Sequence, residues 1–361
     1  MNKKIPVGIL GGTGMVGQKY IDLLRNHPWF EITAIGASPQ SAGKHYGDAV
    51  QWHIPNSIPF EVSSLLVYDV KDVAKIASRC KLVFSAFDMG TSELDREFEN
   101  KYADAGVIVI SNNSAHRFTP EIPIIIPEVN YEHLKIIPTQ QKKFGWKKGF
   151  IITKPNCAIQ SYITPIYALQ QAGFEISKII VTTMQATSGA GYPGVPSLDL
   201  IDNVIPFIWE GEEEKSIKET LKIYGSVNTD KIISHKLLKV SVNCNRVPVT
   251  DGHTVCVNIQ FKDKKPSLKE IIRIWNDFKS LPQKLNLPFA PRQPIIYRSE
   301  DNRPQPRKDR DNDKGMAVTV GKLKPCNVLN VKFVTLVHNM VRGASGGAIL
   351  TAELLFKKGY I

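Results

Sequence analysis

A glycine-rich turn between an apolar strand and an amphipathic helix constrains the fold of this chain more than any other feature. Residues 4–10 have the composition of a buried parallel strand, and residues 18–26 that of a helix. Between them, Gly12, Gly14 and Gly17 have the spacing G-x-G-x-x-G, which lets the backbone turn tightly and approach a pyrophosphate at the helix N-terminus. In this context the motif predicts a dinucleotide-binding unit, and the alternative is a tight turn that binds nothing.

Strands and helices alternate through the rest of the N-terminal part. Apolar strands are predicted at residues 30–36, 82–87 and 107–112, and a helix at residues 91–103. Such alternation is typical of the α/β class, and it predicts a Rossmann-type doubly wound parallel sheet.

A second domain is predicted because 361 residues are too many for one ordinary hydrophobic core. After Cys157 the strands are longer and look more antiparallel, which predicts an α+β domain with a mixed sheet. The strongly apolar C-terminal helix should pack back on the first sheet. The predicted domains are therefore residues 1–153 plus 339–361, and residues 154–338.

The end of the second strand indicates which dinucleotide fits. An NAD site usually has an acidic residue there to hold the ribose 2′-hydroxyl. Residues 37–44 contain no acid, and Ser38 and Ser41 offer hydroxyl groups instead. A 2′-phosphate site and an ordinary polar turn would each account for these serines. The missing acid favours NADP(H).

Charge and composition limit the classes of partner. The net charge is +12, but the basic residues are dispersed and no nucleic-acid-binding motif is present, so we expect anionic small molecules and no nucleic acid. The N-terminal apolar run is too short to span a bilayer and has no cleavage site, so we expect a cytoplasmic protein without a membrane partner. Five cysteines without a C-x-x-C pair predict free thiols and no metal site.

One cysteine stands at a position that favours reactivity. Residues 149–153 form an apolar strand, a proline ends it, and a helical segment follows, so Cys157 is predicted in the first turn of a helix. The dipole there favours thiolate over thiol. His253 is the best candidate for its base, and Arg246 for a carboxylate-binding group. Arg117, which follows a strand end, is a candidate anion contact. A structural role is the alternative for each of these residues.

Several sequence blocks occur in order along the whole chain. They are GGTGMVGQ at 11–18, KPNC at 154–157, QATSGAGYPG at 185–194, NRVPVTDGH at 245–253, RPQPR at 303–307 and GMAVTVG at 315–321. Together these blocks resemble the aspartate-β-semialdehyde dehydrogenase family, in particular its archaeal and fungal type. The resemblance implies that the second domain is a catalytic and dimerisation domain.

The resemblance also implies roles for individual residues. Cys157 is the expected nucleophile, His253 the general acid/base, and Gln185 the side chain that orients the acyl intermediate. The implied substrate-binding residues are Arg246 for the carboxylate, Glu212 for the amino group, Lys215 and Arg117 for the phosphate, and Asn156. The implied cofactor contacts are Gly12, Thr13, Gly14, Met15, Val16, Ala37, Ser38, Ser41, Ser85, Ser188, Gly189 and Asn339. Gln40 stands where many relatives carry an arginine for the 2′-phosphate, which weakens the NADP preference without reversing it.

The activity implied by the resemblance is the NADPH-dependent reductive dephosphorylation of L-4-aspartyl phosphate to L-aspartate 4-semialdehyde, through a thioester on Cys157. It would serve the biosynthesis of lysine, threonine, methionine and isoleucine, in a homodimer or homotetramer. Two alternatives remain at this stage. One is a malonyl-CoA reductase on the same scaffold, and the other is a non-catalytic nucleotide-binding protein that senses redox state through its cysteine.

Overall fold

Two six-stranded sheets organise the protein, in a computed structural model that describes residues 4–361. The strands are β1 (Ile5–Leu10), β2 (Phe30–Ala37), β3 (Val67–Asp69), β4 (Leu82–Ser85), β5 (Ile108–Ser111), β6 (Phe150–Thr153), β7 (Ile176–Gln185), β8 (Ser226–Val227), β9 (Ile232–Ile233), β10 (Lys239–Arg246), β11 (His253–Phe261), β12 (Ile295–Arg298), β13 (Val318–Pro325) and β14 (Val331–Val337).

Helices cover the sheets and connect their strands. They are α1 (Met15–Leu23), α2 (Tyr46–Ala49), α3 (Phe60–Ser63), α4 (Val73–Ala77), α5 (Ser92–Asp104), α6 (Ile137–Phe144), α7 (Ile159–Gln171), α8 (Ser197–Leu200), α9 (Glu212–Ile223), α10 (Leu268–Asp277), α11 (Leu281–Lys284), α12 (Pro306–Asp309) and α13 (Gly346–Lys357). Short stretches of 3₁₀ helix occur at Tyr131–Ile136 and Thr187–Ala190, and one π-helical turn at Val341–Ser345. No helix within residues 4–361 is long and apolar enough to cross a membrane.

The first sheet has the strand order β3-β2-β1-β4-β5-β6, and every neighbouring pair is parallel. This confirms the predicted doubly wound sheet. The direction of winding changes between β1 and β4, which opens a crevice at their carboxyl ends where such sheets bind ligands. Strand β3 was not predicted, because three residues carry too little periodicity to be recognised.

The second sheet has the order β10-β7-β11-β14-β13-β12 and confirms the predicted mixed sheet. Strands β10 and β7 pair in parallel, as do β12 and β13, while β11 pairs antiparallel with both β7 and β14. Residues alternate between buried and partly exposed along β11, so one face of this sheet packs on a core that includes α7 and α10.

The C-terminal helix α13 returns to the first sheet. Ile349 and Leu354 belong to the same buried core as Val7, Ile9 and Ile110. Helix α13 is buried along almost its whole length, which explains why apolar residues occur on all of its faces. This packing supports the predicted division into residues 1–153 plus 339–361 and residues 154–338, whose limits stay a prediction.

Candidate active site

A cavity of about 450 Å³ lies at the carboxyl ends of β1, β2 and β4. Four residues that were predicted to contact the cofactor line it, namely Thr13, Gly14, Ala37 and Ser38. The other lining residues are Gly11, Pro39, Val70, Lys71, Ala86, Phe87, Asp88 and Met89. The position and the lining fit a dinucleotide.

The glycines of the turn have two different physical functions. A Cβ on Gly12 would overlap the side chain of Ile35, and a Cβ on Gly17 would overlap the carbonyl oxygen of Gly11, so these two allow α1 to pack closely on the sheet. A Cβ on Gly14 would meet, among residues 4–361, only the Gly11 carbonyl oxygen at 3.5 Å. Gly14 is the N-cap of α1 and leaves the backbone open where a pyrophosphate would approach.

The remaining residues of the predicted cofactor set around this crevice differ in accessibility. Met15 and Val16 begin α1 beside the turn, and Ser41 lies in the turn after β2, where its backbone N–H donates to the carbonyl of Ser38 at 3.0 Å. The hydroxyl of Ser85 is buried and donates to Oε1 of Glu99 at 2.6 Å, so it does not face the crevice.

Sequence reasoning missed Lys71 and Asp88 in this lining. Both come two or three residues after a strand, β3 or β4, and position after a strand end was the available signal. Lys71 adds a cation to the same cavity wall as Ser38, which suits a 2′-phosphate in a turn without an acid.

Cys157 lies in the turn between β6 and α7 and contacts His253. The Sγ atom is 3.0 Å from Nε2 of the imidazole, across 96 residues of sequence. On the far side of the ring, Nδ1 accepts a hydrogen bond from the backbone N–H of Ala186 at 2.9 Å. Because an amide nitrogen can only donate, the neutral ring carries its proton on Nε2, which faces the sulfur.

The prediction of a thiol ionised by a helix N-terminus is wrong for the structure. Helix α7 begins at Ile159 with Ala158 as its N-cap, so Cys157 precedes the first turn. Burial, and then the charge of Glu212, raise the pKa of the Cys157 thiol to about 11. Burial and the nearby Arg246 lower the pKa of His253 to about 3. The resting pair is therefore a neutral thiol and a neutral imidazole.

Arg246 and Gly189 lie beside this pair. The Nη1 atom of Arg246, a residue that is 3% exposed, donates to the carbonyl oxygen of Ala186 at 2.6 Å. A Cβ on Gly189 would be 3.1 Å from that Nη1 and 3.2 Å from Cε1 of His253. The structure therefore brings the predicted carboxylate-binding arginine and the predicted acid/base into one pocket wall.

Glu212, Asn156 and Gln185 form a hydrogen-bonded group on the other side of the cysteine. Oε1 of Glu212 accepts from Nδ2 of Asn156 at 2.6 Å and from Nε2 of Gln185 at 3.3 Å. The Oδ1 atom of Asn156 accepts from the backbone N–H of Ala158 at 2.9 Å, which fixes the turn that carries Cys157. Glu212 and Asn156 were predicted to bind the substrate and Gln185 to orient the acyl intermediate, and the structure brings the three side chains together.

A second cavity, of about 400 Å³, contains both cations that were predicted for the phosphate, Arg117 and Lys215. Arg117 donates from Nη1 to Glu219 at 2.9 Å and from Nη2 to the carbonyl of Asn112 at 2.7 Å. Its Nε is buried and has no acceptor within residues 4–361. Glu219, fully buried, was missed by sequence reasoning, although it follows Glu212 by two turns of α9.

Asn339 links the C-terminal segment to the loop after β7. Its Nδ2 donates to the hydroxyl of Ser188 at 2.8 Å, and its Oδ1 accepts from the backbone N–H of Gly252 at 2.8 Å. Both Asn339 and Ser188 were predicted to contact the cofactor, and they lie beside His253 and not in the crevice at Gly14.

Comparison with known proteins gives the family. The profile "Semialdehyde dehydrogenase, NAD binding domain" matches residues 6–137, and "Semialdehyde dehydrogenase, dimerisation domain" matches residues 166–342. Aspartate-semialdehyde dehydrogenases from Schizosaccharomyces pombe and Archaeoglobus fulgidus are each 44% identical to this chain, over 98% of it and over 98% and 99% of their own lengths. The chain belongs to the aspartate-semialdehyde dehydrogenase family. It is an oxidoreductase of the branch that its archaeal and fungal relatives represent.

A solved structure of this family supports the fold in detail. Aspartate semialdehyde dehydrogenase with NADP from Candida albicans superposes with a TM-score of 0.90 at 36% identity and covers 99% of this chain and 100% of its own. These relatives do not favour either alternative from the sequence, the malonyl-CoA reductase or the non-catalytic redox sensor.

Proposed function

We propose that this chain catalyses the reversible NADPH-dependent conversion of L-4-aspartyl phosphate to L-aspartate 4-semialdehyde and inorganic phosphate. The product serves the biosynthesis of lysine, threonine, methionine and isoleucine. The observation that carries the proposal is the contact of 3.0 Å between Sγ of Cys157 and Nε2 of His253.

Three groups around the cysteine match the three charged groups of this substrate. Arg246 would bind the α-carboxylate, because its planar guanidinium makes paired hydrogen bonds to a carboxylate. Glu212 would bind the ammonium group. Arg117 and Lys215, which share one cavity, would bind the phosphoryl group. The proposal is supported by the proximity of Glu212, Arg117 and Arg246 to Cys157, since the charges of all three shift the pKa of its thiol.

The covalent steps take place on the cysteine. The Cys157 thiolate attacks the acyl carbon, and the bond from that carbon to the phosphate oxygen breaks, which leaves a thioester and inorganic phosphate. NADPH, when bound, supplies a hydride to the thioester carbon. The oxyanion of the hemithioacetal then re-forms the carbonyl group and breaks the C–S bond, which releases the aldehyde and returns the sulfur as a thiolate.

His253 handles the proton at Nε2, the ring nitrogen that faces the sulfur. In the resting tautomer Nε2–H donates toward Sγ, which stabilises the thiolate once the thiol proton has passed to the phosphoryl group that leaves as inorganic phosphate. Uptake of a proton by the neutral ring requires Nδ1 to release the Ala186 N–H. Gln185, whose Nε2 contacts Glu212, would orient the acyl group.

We propose that the cofactor is NADP(H), held at the pyrophosphate by the turn from Gly12 to Gly14 and at the 2′-phosphate by Ser38 and Lys71. The open Cβ direction of Gly14 and the cation in the cavity wall support this assignment. Asn339 and Ser188 would lie near the nicotinamide, since they stand next to His253.

The test is the reverse reaction. Purified protein should reduce NADP⁺ in the presence of aspartate semialdehyde only when inorganic phosphate is added, and it should reduce NAD⁺ less efficiently. Cys157→Ala should lose turnover and keep NADPH binding, measured by fluorescence titration. Phosphate-independent reduction, or turnover by the alanine variant, would contradict the proposal.

We also propose that the chain forms a homodimer or homotetramer and acts in the cytoplasm. The match to a dimerisation domain supports assembly, and so does a group of exposed apolar side chains before α9, namely Leu198, Ile201, Val204 and Phe207. Light scattering on the eluting peak of a sizing column tests the assembly. A monomer at micromolar concentration would contradict it.

A further inference from the structure

Trp209 contacts a charged residue of the substrate site and belongs to no predicted set. It lies in the loop just before α9, and its indole Nε1 donates to Oε2 of Glu212 at 2.9 Å. The indole is 49% exposed, whereas Glu212 is 4% exposed. Trp209 therefore bridges solvent and a buried carboxylate.

The hydrogen bonds of Glu212 are divided between its two oxygens. Oε1 takes the donors from Asn156 and Gln185, which come from the interior. Oε2 takes Trp209, so the indole is on the side of the carboxylate that opens to solvent. A carboxylate oxygen accepts two hydrogen bonds, and Oε2 thus retains one position for a further donor.

The same indole lines the cavity that holds Arg117 and Lys215. Trp209 consequently lies between the two cations proposed for the phosphoryl group and the carboxylate proposed for the ammonium group. An amino-acid substrate that spans both must pass or touch the indole.

We propose that Trp209 is a specificity-determining residue that orients Glu212 toward the α-ammonium group of the substrate. The Nε1 donor holds Oε2 so that its remaining acceptor position points into the site. This orientation strengthens the binding of substrates that carry the ammonium group and does not affect the binding of analogues without it. This inference rests on the proposed function and assigns it a further residue.

The test compares two aldehydes that differ only in the amino group, L-aspartate semialdehyde and succinate semialdehyde, with NADP⁺ and phosphate. In Trp209→Phe, which keeps a ring and loses the donor, kcat/KM for the amino aldehyde should fall about tenfold, the size expected for a lost hydrogen bond to a charged group. The change should be mainly in KM. For succinate semialdehyde kcat/KM should change less than about twofold.

Two further variants separate the donor from the loop. Trp209→Gln restores an N–H donor without the ring and should recover part of the discrimination. Pro206→Ala alters an exposed residue of the same loop that belongs to no proposed site and should leave the ratio of the two kcat/KM values unchanged.

An equal fall for both aldehydes in Trp209→Phe would mean that the residue only supports the loop, and no fall for either would mean that it does not orient Glu212. Either result overturns the inference. The proposed function fails separately, if the wild-type protein does not reduce NADP⁺ with aspartate semialdehyde and phosphate.

Discussion

Cys157 and His253 are within hydrogen-bonding distance, yet each is neutral in the free protein. Burial disfavours both the thiolate and the imidazolium, and the Ala186 N–H occupies the ring nitrogen that would have to be protonated. Burial therefore favours the neutral thiol over the thiolate at this position. A cysteine that stays protonated as the thiol is oxidised more slowly than a thiolate.

We expect the alkylation rate of Cys157 in the free protein to rise about tenfold per pH unit between pH 7 and 9. The thiol pKa of about 11 lies above this range, so the thiolate fraction grows in proportion to hydroxide. Iodoacetamide modification followed by mass spectrometry of the peptide measures the rate, and Cys157→Ala supplies the background. A rate that is already constant below pH 8 would indicate a thiolate–imidazolium pair instead.

At the scale of single elements, helix α9 presents one face to the site. Glu212, Lys215, Glu219 and Lys222 follow one another at helical spacing and lie along that face. Glu219 accepts from Arg117 through one oxygen and from the backbone N–H of Asn156 through the other, at 2.7 Å. The helix thus connects the anion cavity to the turn that carries the nucleophile.

Glu219→Ala should lower the free energy of unfolding by about 3–5 kcal/mol, because it leaves the largely buried guanidinium of Arg117 without its partner. Urea denaturation measures the change. Glu214, on the same helix and exposed, is the matched control, and its alanine variant should lie within about 0.5 kcal/mol of wild type. Equal free energies of unfolding for the two variants would show that the buried ion pair of Arg117 and Glu219 does not stabilise the fold.

The glycine turn at the start of α1 allows stability and binding to be separated. Gly17→Ala forces a Cβ against the Gly11 carbonyl and should cost about 1–3 kcal/mol or more of stability. Gly14→Ala has room for its Cβ and a φ of −79°, so the fold should keep its stability while NADPH affinity falls. Thermal unfolding and fluorescence titration of both variants give the comparison, and the reverse pattern would refute this reading of the turn.

At the scale of the whole molecule, segments that are far apart in sequence meet at one sulfur. The turn after β6 supplies Cys157, the start of β11 supplies His253, and the segment before α13 supplies Gly343. A Cβ on Gly343 would be 2.9 Å from Cβ of Cys157. Nζ of the buried Lys154 donates to the Gly343 carbonyl at 3.1 Å, which holds the π-helical turn against the nucleophile.

Gly343→Ala should therefore reduce kcat at least about tenfold, since the added methyl group displaces the sulfur from its position against the acyl carbon. NADPH affinity should stay within about twofold, because the crevice at Gly14 is separate. Ala344→Gly changes the same turn without adding an atom beside the cysteine and should keep its kcat. Steady-state kinetics measure kcat, and titration measures the NADPH affinity. An unaltered kcat in Gly343→Ala would mean that the turn accommodates the methyl group without moving the sulfur.

Local patterns in the sequence predicted the type of each sheet, the glycine turn, Cys157 and His253, while most other candidate site residues followed from the family resemblance. The G-x-G-x-x-G spacing, the alternation of strands and helices, and the blocks around Cys157 and His253 are all contained in short stretches, where backbone geometry and side-chain type act directly. Strand β3 was not predicted because three residues are too few to show a hydrophobic period. Lys71 was not predicted as a site residue because the strand before it had not been recognised.

The tertiary structure alone decided the electrostatic state of the site and the partners of its charged groups. The sequence placed Cys157 near a helix N-terminus and suggested a thiolate, but the pKa depends on burial and on Glu212, which is 55 residues away in sequence. The contacts of Glu219 and Trp209 could not be predicted either, because the neighbouring sequence does not indicate which residues a carboxylate or an indole will contact in the folded chain. Burial and contacts between distant residues set the local dielectric constant and the pKa values, and both arise only when the chain packs into its tertiary structure.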